Sequence, residues 1–561
     1  MTALLTDNLP LLAGASNGIK KLRELILELA VRGKLVPQDP NDEPASELLK
    51  RIAEEKARLV SEGNVRKQKP LAEIGAEEKP FDVPTNWEWV RVAAVGHDWG
   101  QKTPDKAFTY IDVGAVDNAA GRISAPQILM AEDAPSRARK VVRPGTVIYS
   151  TIRPYLLNVA VIEETYEQEP IASTAFAIIH PYLEMPARYF LYYLRSPVFV
   201  RYVESVQMGI AYPAINDGQF FSGLIPLPPL AEQHRIVAKV DELMALCDRL
   251  EAQQADADSA HAQLVQALLD SLPQARDAED FAQSWQRLAE HFHTLFTTES
   301  SIDALKQTLL QLAVMGKLVP QDSSDEPASE LLMRLTNDRN DYAAIHKIAV
   351  AKPEPISGSD QSLSLPDGWA WARLCSMFRV ITDGDHQPPP KSTDGIAFLT
   401  IGNVTKGYLD FSNCRFVPQD YFDRVAIYRR PEIGDILYTV VGATYGRPIA
   451  VNSSRDFCVQ RHIAILKSSK LISSVFACYL LASPWIYEQA TQSTTGTAQP
   501  TIPLKPLRNF LVMLPPLPEQ HRIVAKVDQL MSLCDQLKAR LNQARQVHEH
   551  LANALVEQAV A

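Results

Sequence analysis

Apolar side chains recur at alternating steps of four and three residues in two segments of the chain. The first series is Ile236, Val240, Leu243, Cys247 and Leu250, and the second is Ile523, Val527, Leu530, Cys534 and Leu537. This spacing is the a/d pattern of a coiled-coil helix. The same steps continue to Leu264 and Leu268, and to Leu551 and Leu555, without proline or glycine. The pattern predicts two helices of about 35 residues, each roughly 50 Å long.

Both series lie inside longer duplicated segments. PPLAEQHRIVAKVDELMALCDRL (228–250) is nearly repeated as PPLPEQHRIVAKVDQLMSLCDQL (515–537), and LELAVRGKLVPQDPNDEPASELLKRI (27–52) as LQLAVMGKLVPQDSSDEPASELLMRL (310–335). PTNWEWVRV and PDGWAWARL then open two blocks that are otherwise unlike each other. A duplication without functional meaning is one interpretation. Because the near-identity is confined to particular segments, we favour a repeated framework that holds two different inserts.

The repeated framework has its own local signals. GKLVPQD followed by DEPASELL predicts a helix, a turn and a second helix, with Gly33 and Gly316 just past the first helix. Ser46 and Ser329 are the expected caps of the second helix. In EQHR, His234 and His521 are expected to pack at the start of each long helix, and a catalytic role is the alternative.

The two blocks combine short strands with helices. Runs rich in β-branched and aromatic residues predict strands at 146–152, 175–180, 397–404 and 435–441. Segments 144–162 and 433–452 share one plan, in which a strand rises to a tip bearing Arg and Tyr and a second strand returns. Helices are expected to end near Ser196 and Ser483, and matching loops follow at 208–215 and 495–502.

These loops carry side chains suited to nucleic acid. In the major groove Arg pairs with guanine and Gln with adenine, while basic groups, hydroxyls and amides bind phosphate. The loop candidates are Arg153, Tyr155, Gln207, Tyr212, Tyr445, Arg447, Thr494, Thr495 and Gln499. The candidates for phosphate contacts are Arg137, Arg139, Lys140, Arg143, Arg429 and Arg430. For each residue alone a structural or solvated role is favoured over a base contact, and only the paired loop plan favours binding.

Composition and missing motifs narrow the function. The net charge is -10, yet residues 366–515 carry 15 basic against 11 acidic residues, so the acid is concentrated elsewhere. Six scattered cysteines without a C-x-x-C pair indicate reduced thiols in a cytoplasmic protein and no metal site. There is no apolar run long enough for a membrane span. No nucleotide phosphate loop, dinucleotide fingerprint or hydrolase motif occurs, which indicates a binding or targeting chain.

The sequence therefore predicts an α+β fold in which two mixed α/β domains are separated by an antiparallel coiled coil of two long helices with an internal pseudo-two-fold repeat. The predicted segments are 1–83 (helical framework), 84–228 (first domain), 229–365 (central helical framework), 366–515 (second domain) and 516–561 (C-terminal helix). The alternative is that each long helix packs only on its own half.

Taken together, the alternating blocks, the Pro-x-x-Trp-x-Trp entry, IRPYLLN and LPPLxEQHRIVAKVD resemble the specificity subunit of Type I restriction–modification systems over essentially the whole chain. The resemblance implies that 84–228 and 366–515 are target-recognition domains, each reading half of a bipartite, asymmetric double-stranded DNA sequence. It also implies docking of two methyltransferase subunits and, through them, two restriction subunits.

The resemblance further implies that S-adenosylmethionine, ATP and magnesium are used by these partners, with no cofactor and no catalytic residue on this chain. Two other functions stay open from the residues alone. One is a duplicated adaptor whose blocks bind proteins instead of DNA, and the other is an enzyme with an unrecognised site. Sequence-selective binding to DNA would distinguish a DNA reader from the protein adaptor. Catalysis by the purified chain would support the enzyme.

Overall fold

The computed structural model describes residues 12, 14–15, 17–65, 71–209, 211–275, 278–350, 352–358, 360–361, 363–384, 389–390, 392–496 and 499–560. They form two compact units. The first unit comprises Met1–Asp256 and Ala544–Ala561, and the second comprises Ala257–Gln543. The five predicted segments stay a prediction, and parts of the N-terminal one (1–11 and 66–70) lie outside the described residues.

The described residues between 12 and 271 form seven α-helices, the last of which continues from the first unit into the second. The helices are α1 (Gly18–Val31), α2 (Ala45–Ser61), α3 (Val92–Val95), α4 (Ala187–Arg195), α5 (Pro197–Val206), α6 (Asp217–Ser222) and α7 (Leu230–Ser271). The strands are β1 (Glu88–Arg91), β2 (Gly96–His97), β3 (Phe108–Ile111), β4 (Val116–Asp117), β5 (Arg122–Ile123), β6 (Gln127–Leu129), β7 (Ala138–Val141), β8 (Val147–Ser150), β9 (Val159–Val161), β10 (Glu169–Ser173), β11 (Phe176–Pro181) and β12 (Leu224–Leu227).

Three sheets organise the first unit. β1 pairs antiparallel with β12, so the first and last strands of the predicted block lie side by side. The order β2-β11-β8-β9-β5-β4 forms the main sheet, and β6-β3-β10-β7 forms a smaller one. The predicted strands at 146–152 and 175–180 are confirmed as β8 and β11, whose residues are almost all buried.

The helix–turn–helix of the framework forms as predicted, and it fixes the entry into the block. Gly33 is left-handed (φ 69°) just past α1. A Cβ there would lie 2.5 Å from Pro84 Cγ, so glycine also allows the Pro84–Trp87 turn to pack closely. The predicted Ser46 cap is wrong, because α2 begins at Ala45 after Pro44 and has no side-chain cap. The same holds for Ser329 after Pro327.

The second unit repeats this plan with its own elements. Its helices are α8 (Ala278–Glu290), α9 (Phe292–Leu295), α10 (Glu299–Val314), α11 (Ala328–His346), α12 (Ile401–Val404), α13 (Gln419–Arg424), α14 (Ser474–Ala482), α15 (Pro484–Gln492), α16 (Leu504–Arg508) and α17 (Leu517–Val560). Its strands are β13 (Ala370–Arg373), β14 (Val380–Asp383), β15 (Ile396–Leu399), β16 (Arg415–Val417), β17 (Ile436–Thr439), β18 (Pro448–Ala450), β19 (Phe457–Val459), β20 (Ile463–Lys467) and β21 (Leu511–Leu514).

The second unit also has three sheets. β13 pairs antiparallel with β21, β14-β20-β17-β18 forms the main sheet, and β16-β15-β19 forms the smaller one. The predicted strand at 435–441 is confirmed as β17. The single strand predicted at 397–404 is wrong in its second half, because Thr400 and Asn403 form a capping box that starts α12.

The two long helices begin earlier than predicted. α7 has 42 residues and α17 has 44, because each starts immediately after a Pro-Pro pair instead of at Ile236 or Ile523. The ten predicted seam residues are buried or half-buried, each within its own unit.

The heptad continuation beyond these ten positions is wrong at Leu264 and Leu551, although Leu268 and Leu555 are half-buried against the cores. Leu264 and Leu551 are 53% and 46% exposed, whereas Val265 and Ala552 are buried. Val265 follows Cys247 by 18 residues, as Ala552 follows Cys534, and 18 residues make five turns of a straight helix. This spacing fits the period of a straight helix, and each helix packs in one core near its start and in the other core near its end.

In each unit a framework helix forms ion pairs with the long helix about 20 residues after its start. In the first unit Arg23 of α1 binds Asp248 and Glu251, both at 2.6 Å. In the second unit Lys538 binds Asp303 of α10 at 3.1 Å. The end of α17 enters the first core through Ala552 and Ala559, and the end of α7 enters the second core through Val265 and Leu269.

Candidate nucleic-acid interface

In each unit two loops meet beside one end of the main sheet. We call 151–158 and 440–447 the tip loops, and 207–215 and 494–502 the bridge loops. In the first unit Ile152 and Met208 each form a β-bridge with Ala214. In the second unit Val441 and Thr495 each form a β-bridge with Thr501. Residues 210, 497 and 498 of the bridge loops lie outside the described residues.

The shared bridges define equivalent positions in the two units. Ile152 corresponds to Val441, Met208 to Thr495, Arg153 to Gly442, and Tyr212 to Gln499. The backbone hydrogen bonds agree: the Arg153 N–H donates to the Pro213 carbonyl (2.8 Å), and the Gly442 N–H donates to that of Pro500 (2.9 Å). The predicted common plan of the loops is therefore confirmed in the backbone, while the side chains differ.

Arg153 occupies a position that favours glycine. Its φ is 48°, and the equivalent Gly442 has a φ of 86°. A non-glycine residue in this left-handed region costs on the order of 1 kcal/mol. The Arg153 guanidinium carbon lies 5.0 Å from the ring centroid of Tyr212, within cation–π range. A strained arginine held by an exposed tyrosine is a feature expected of a binding loop.

The other first-unit candidates lie in the same two loops. Tyr155 belongs to a 3-10 turn, Pro154–Leu156, and is 54% exposed, while Tyr212 is 69% exposed. Gln207 is half-buried at the end of α5. Asn118 ties the tip loop to the β4–β5 turn through a hydrogen bond from its amide to the Leu156 carbonyl (3.0 Å).

The second-unit candidates are more firmly held. The Tyr445 ring stacks parallel on Tyr487, with ring centroids 5.6 Å apart, and its hydroxyl lies 3.0 Å from Thr491 Oγ1. Arg447 Nη1 donates to the Thr405 carbonyl at 3.1 Å. The remaining candidates are Thr494, which is half-buried, and Thr495 and Gln499, which are exposed. Tyr487 was not singled out from the sequence, because its pairing with Tyr445 arises only in the fold.

Several predicted phosphate contacts are engaged inside the protein instead. Lys140 is 8% exposed, and its Nζ donates to the Phe176 carbonyl (2.6 Å) and the Asp217 carboxylate (2.8 Å), so it is excluded as a phosphate ligand. The others have these contacts: Arg139 donates to Ala138, Arg143 lies over Trp99, Arg429 binds Gly384 and Asp383, and Arg430 binds Asp423 and Val425. Arg137 and Arg143 are exposed.

A duplicated polar cluster, which we call the clasp, was missed by the sequence analysis. In the first unit the Trp87 indole N–H (2.9 Å) and the Gln38 amide (2.6 Å) both donate to the buried Glu232 carboxylate. In the second unit Trp369 (3.0 Å) and Gln321 (3.0 Å) donate to Glu519. Burial raises the pKa of both glutamates despite these hydrogen bonds.

The clasp explains part of the EQHR repeat. Glu and Gln of this motif are buried in both copies, whereas His234 and His521 are exposed, so the expected packing of the histidines is wrong. The signal was available in the sequence, since Trp, Gln and Glu are identical in the two copies. The clasp ties the block entry to the start of the long helix.

Comparison with known proteins agrees with this organisation. The family model described as the Type I restriction modification DNA specificity domain matches residues 84–257 and 386–545. The specificity subunit of the Type I restriction enzyme EcoAI of Escherichia coli is 38% identical over 97% of this chain and 94% of its own length. The chain belongs to the Type I restriction–modification specificity family.

Two further relatives support the assignment. The EcoEI specificity subunit of Escherichia coli is 36% identical over 97% of this chain and 94% of its own length. A solved structure from work on complex assembly and conformational transition of the type I R-M system has a TM-score of 0.52 and 25% identity. It covers 86% of this chain, which spans 99% of that structure. As a specificity subunit, the chain is the non-catalytic targeting component of a restriction–modification complex.

Within the described part of this specificity subunit, no group of three or more His, Cys, Asp or Glu side chains is arranged to hold a metal ion. Among these described residues, no helix is both long and apolar enough to cross a membrane.

Proposed function

We propose that this specificity subunit reads a bipartite, asymmetric double-stranded DNA target, with one half-site at the tip and bridge loops of each unit. The observation that carries the proposal is the charge of these four loops. They contain Arg153 and Arg447 and no Asp or Glu, in a chain with 66 acidic residues and a net charge of -10. Loops without negative charge can approach a polyanion such as DNA without electrostatic repulsion from their own side chains.

The difference between the units supports an asymmetric target. At equivalent positions the first unit has Arg153 and Tyr212, and the second has Gly442 and Gln499. Base edges in the major groove are distinguished by the donors, acceptors and methyl groups that they present. Two loops with one backbone plan and different side chains therefore read different half-sites.

We further propose that α7 and α17 run antiparallel as the spacer between the half-site readers. Each helix begins in one unit and ends in the core of the other, which supports this arrangement. A 42-residue helix is about 63 Å long. After its docked ends are subtracted, this is the scale of one DNA turn, about 34–36 Å, between two major-groove contacts.

The repeated framework, in this proposal, docks two methyltransferase subunits and, through them, two restriction subunits in the cytoplasm. S-adenosylmethionine, ATP and magnesium are used by those partners. Duplicated elements such as the clasp support two equivalent docking positions, because each clasp joins its block entry to its long helix by the same hydrogen bonds. The solved relative connected with complex assembly of a type I R-M system is consistent with this role.

Retention on DNA tests the proposal. The chain alone and the chain with its methyltransferase partner are applied to immobilised genomic fragments at fixed salt, because phosphate contacts depend on salt. We expect weak retention of the acidic chain alone and a sharp gain in sequence-selective affinity with the partner. Equal retention of all fragments by the complex contradicts DNA reading and favours the protein adaptor.

A further inference from the structure

The first-unit loops concentrate exposed apolar side chains. Among the described residues, 19 large apolar side chains are classed as exposed, and five of them lie in the tip and bridge loops of the first unit. They are Ile152 (38%), Tyr155 (54%), Leu156 (41%), Met208 (59%) and Tyr212 (69%). Scattered exposed apolar residues are ordinary, but a cluster on two connected loops marks a contact surface.

The second unit does not repeat this apolar surface. At the same bridge positions Ile152 is replaced by Val441, which is only 7% exposed, and Met208 is replaced by Thr495. Gln499 stands where the first unit has Tyr212. The backbone hydrogen bonds of the loops are equivalent in the two units. The apolar surface of the first unit therefore comes from its side chains and is not required by the loop fold.

The charge of the residues around this apolar surface indicates which kind of partner binds there. The first-unit loops contain no acidic residue, and their one charged side chain is Arg153, which lies beside Tyr212. A negatively charged partner with apolar groups accessible beside its charges fits this combination. In the major groove of DNA the apolar group available on the base edges is the thymine C5 methyl.

We propose that the first unit recognises its half-site by contacts of Met208 and Ile152 with thymine methyl groups, while Arg153 and Tyr212 position the bridge loop against the groove. This inference rests on the proposed reading of DNA by these loops. It assigns the first half-site a dependence on apolar contacts that the second half-site, facing Thr495 and Gln499, lacks. At least one A·T pair in contact with the first unit is thus required.

Uracil substitution tests the inference, because it removes only the methyl group. Thymines of a methylated target are replaced one at a time by deoxyuridine in both half-sites, and the affinity of the chain with its methyltransferase partner is measured. The first half-site is the one that changes when residues 84–228 are exchanged. We expect one or more of its thymines to lose about fourfold in affinity, the worth of one buried methyl group. Uracil in the second half-site is expected to have no effect.

The variant Met208→Ala completes the test as a double-mutant cycle. In this variant the ratio of affinities for thymine-containing and uracil-containing DNA is expected to fall to about one at the affected position. Met130 is a similarly exposed methionine outside the loops, so Met130→Ala is the control and should keep the wild-type ratio. Thymine and uracil bound equally throughout the first half-site, or an unchanged ratio in Met208→Ala, overturns the inference. A complex without any selective DNA binding overturns the proposed function instead.

Discussion

At the scale of single residues, the most informative feature is a side chain in an unfavourable backbone conformation. Arg153 holds the left-handed position that Gly442 fills in the second unit. Nothing in the packing of the tip loop requires an arginine, because its guanidinium lies on the exposed ring of Tyr212. Under the proposed reading of DNA, this conformation places the guanidinium for a contact outside the chain.

The variant Arg153→Gly separates stability from binding. The relief of strain and the greater freedom of glycine in the unfolded chain oppose each other, so the free energy of unfolding should change by less than about 1 kcal/mol. Loss of a guanidinium that positions the bridge loop against the groove should weaken DNA binding by about tenfold to a hundredfold. Thermal unfolding and titration of labelled DNA measure the two effects.

Arg424→Ala is the matched control, since Arg424 is exposed and, among the residues that the structure describes, pairs with Asp420 of its own helix. It should leave selective binding nearly unchanged. Unimpaired binding by Arg153→Gly would exclude Arg153 from the interface.

Buried histidines make the first unit sensitive to acid. His180 packs against Trp99 (4.9 Å) and His97 (5.4 Å between ring centroids). Burial, followed by the positive neighbours His97 and Arg143, lowers the pKa of His180 to about 4. Burial also lowers the pKa of His97, although Asp98 and Glu55 act in the opposite direction.

The pH dependence follows from these directions. An unfolded histidine titrates near pH 6.5, so the folded unit has its full stability above that pH and loses it as the pH falls toward about 4. His180→Gln, which can still bond Thr146 Oγ1, should show a smaller drop of the unfolding midpoint between pH 7 and pH 4.5. His550→Gln, at an exposed position of α17, should behave as wild type; an equal drop in all three proteins contradicts the assignment.

At the scale of elements, the clasp joins each block to a long helix. Trp87→Phe removes one of two donors to the buried Glu232 carboxylate, which should cost the first unit about 1–3 kcal/mol. Trp369→Phe should have the same effect on the second unit. Hydrogen–deuterium exchange resolved by segment measures both, and each variant serves as the control for the other. Loss of protection in both units from either variant would contradict a local role.

Elements were predictable from the sequence to different degrees. The long helices were predictable because their buried side chains recur at a helical period. The strands β8, β11 and β17 were predictable because they are continuous runs of buried apolar residues. The burial of Val265 in place of Leu264 was not predictable, because the end of α7 packs in a different core from its start.

The candidate site was likewise predictable from the sequence only in part. Its bridge loops were recognisable as a pair, since Gly209 and Pro213 recur in step as Gly496 and Pro500. Their roles depend on tertiary contacts that no local pattern encodes. The Lys140 ammonium is bound by Asp217, and Tyr445 stacks on Tyr487. The left-handed Arg153 was equally invisible, because the two loops align only through their bridges to Ala214 and Thr501.

At the scale of the whole molecule, the length of the long helices should set the unread gap between half-sites. Residues 251–260 of α7 are all exposed, so an insertion there disturbs no core. Four extra residues near Ala257, with four near Ala544, add about 6 Å and roughly one helical turn. We expect the unread gap to change by about one to two base pairs, as mapped by DNA methylation. An unaltered gap contradicts the spacer role of α7 and α17.

The central claim is that two dissimilar readers on one repeated framework each recognise one half of a DNA target. Its most direct test is to replace residues 84–228 with an unrelated block and to map methylated adenines in cells that also carry the methyltransferase partner. The account predicts a new first half-site and an unchanged second half-site. A map in which both halves change, or neither does, contradicts it.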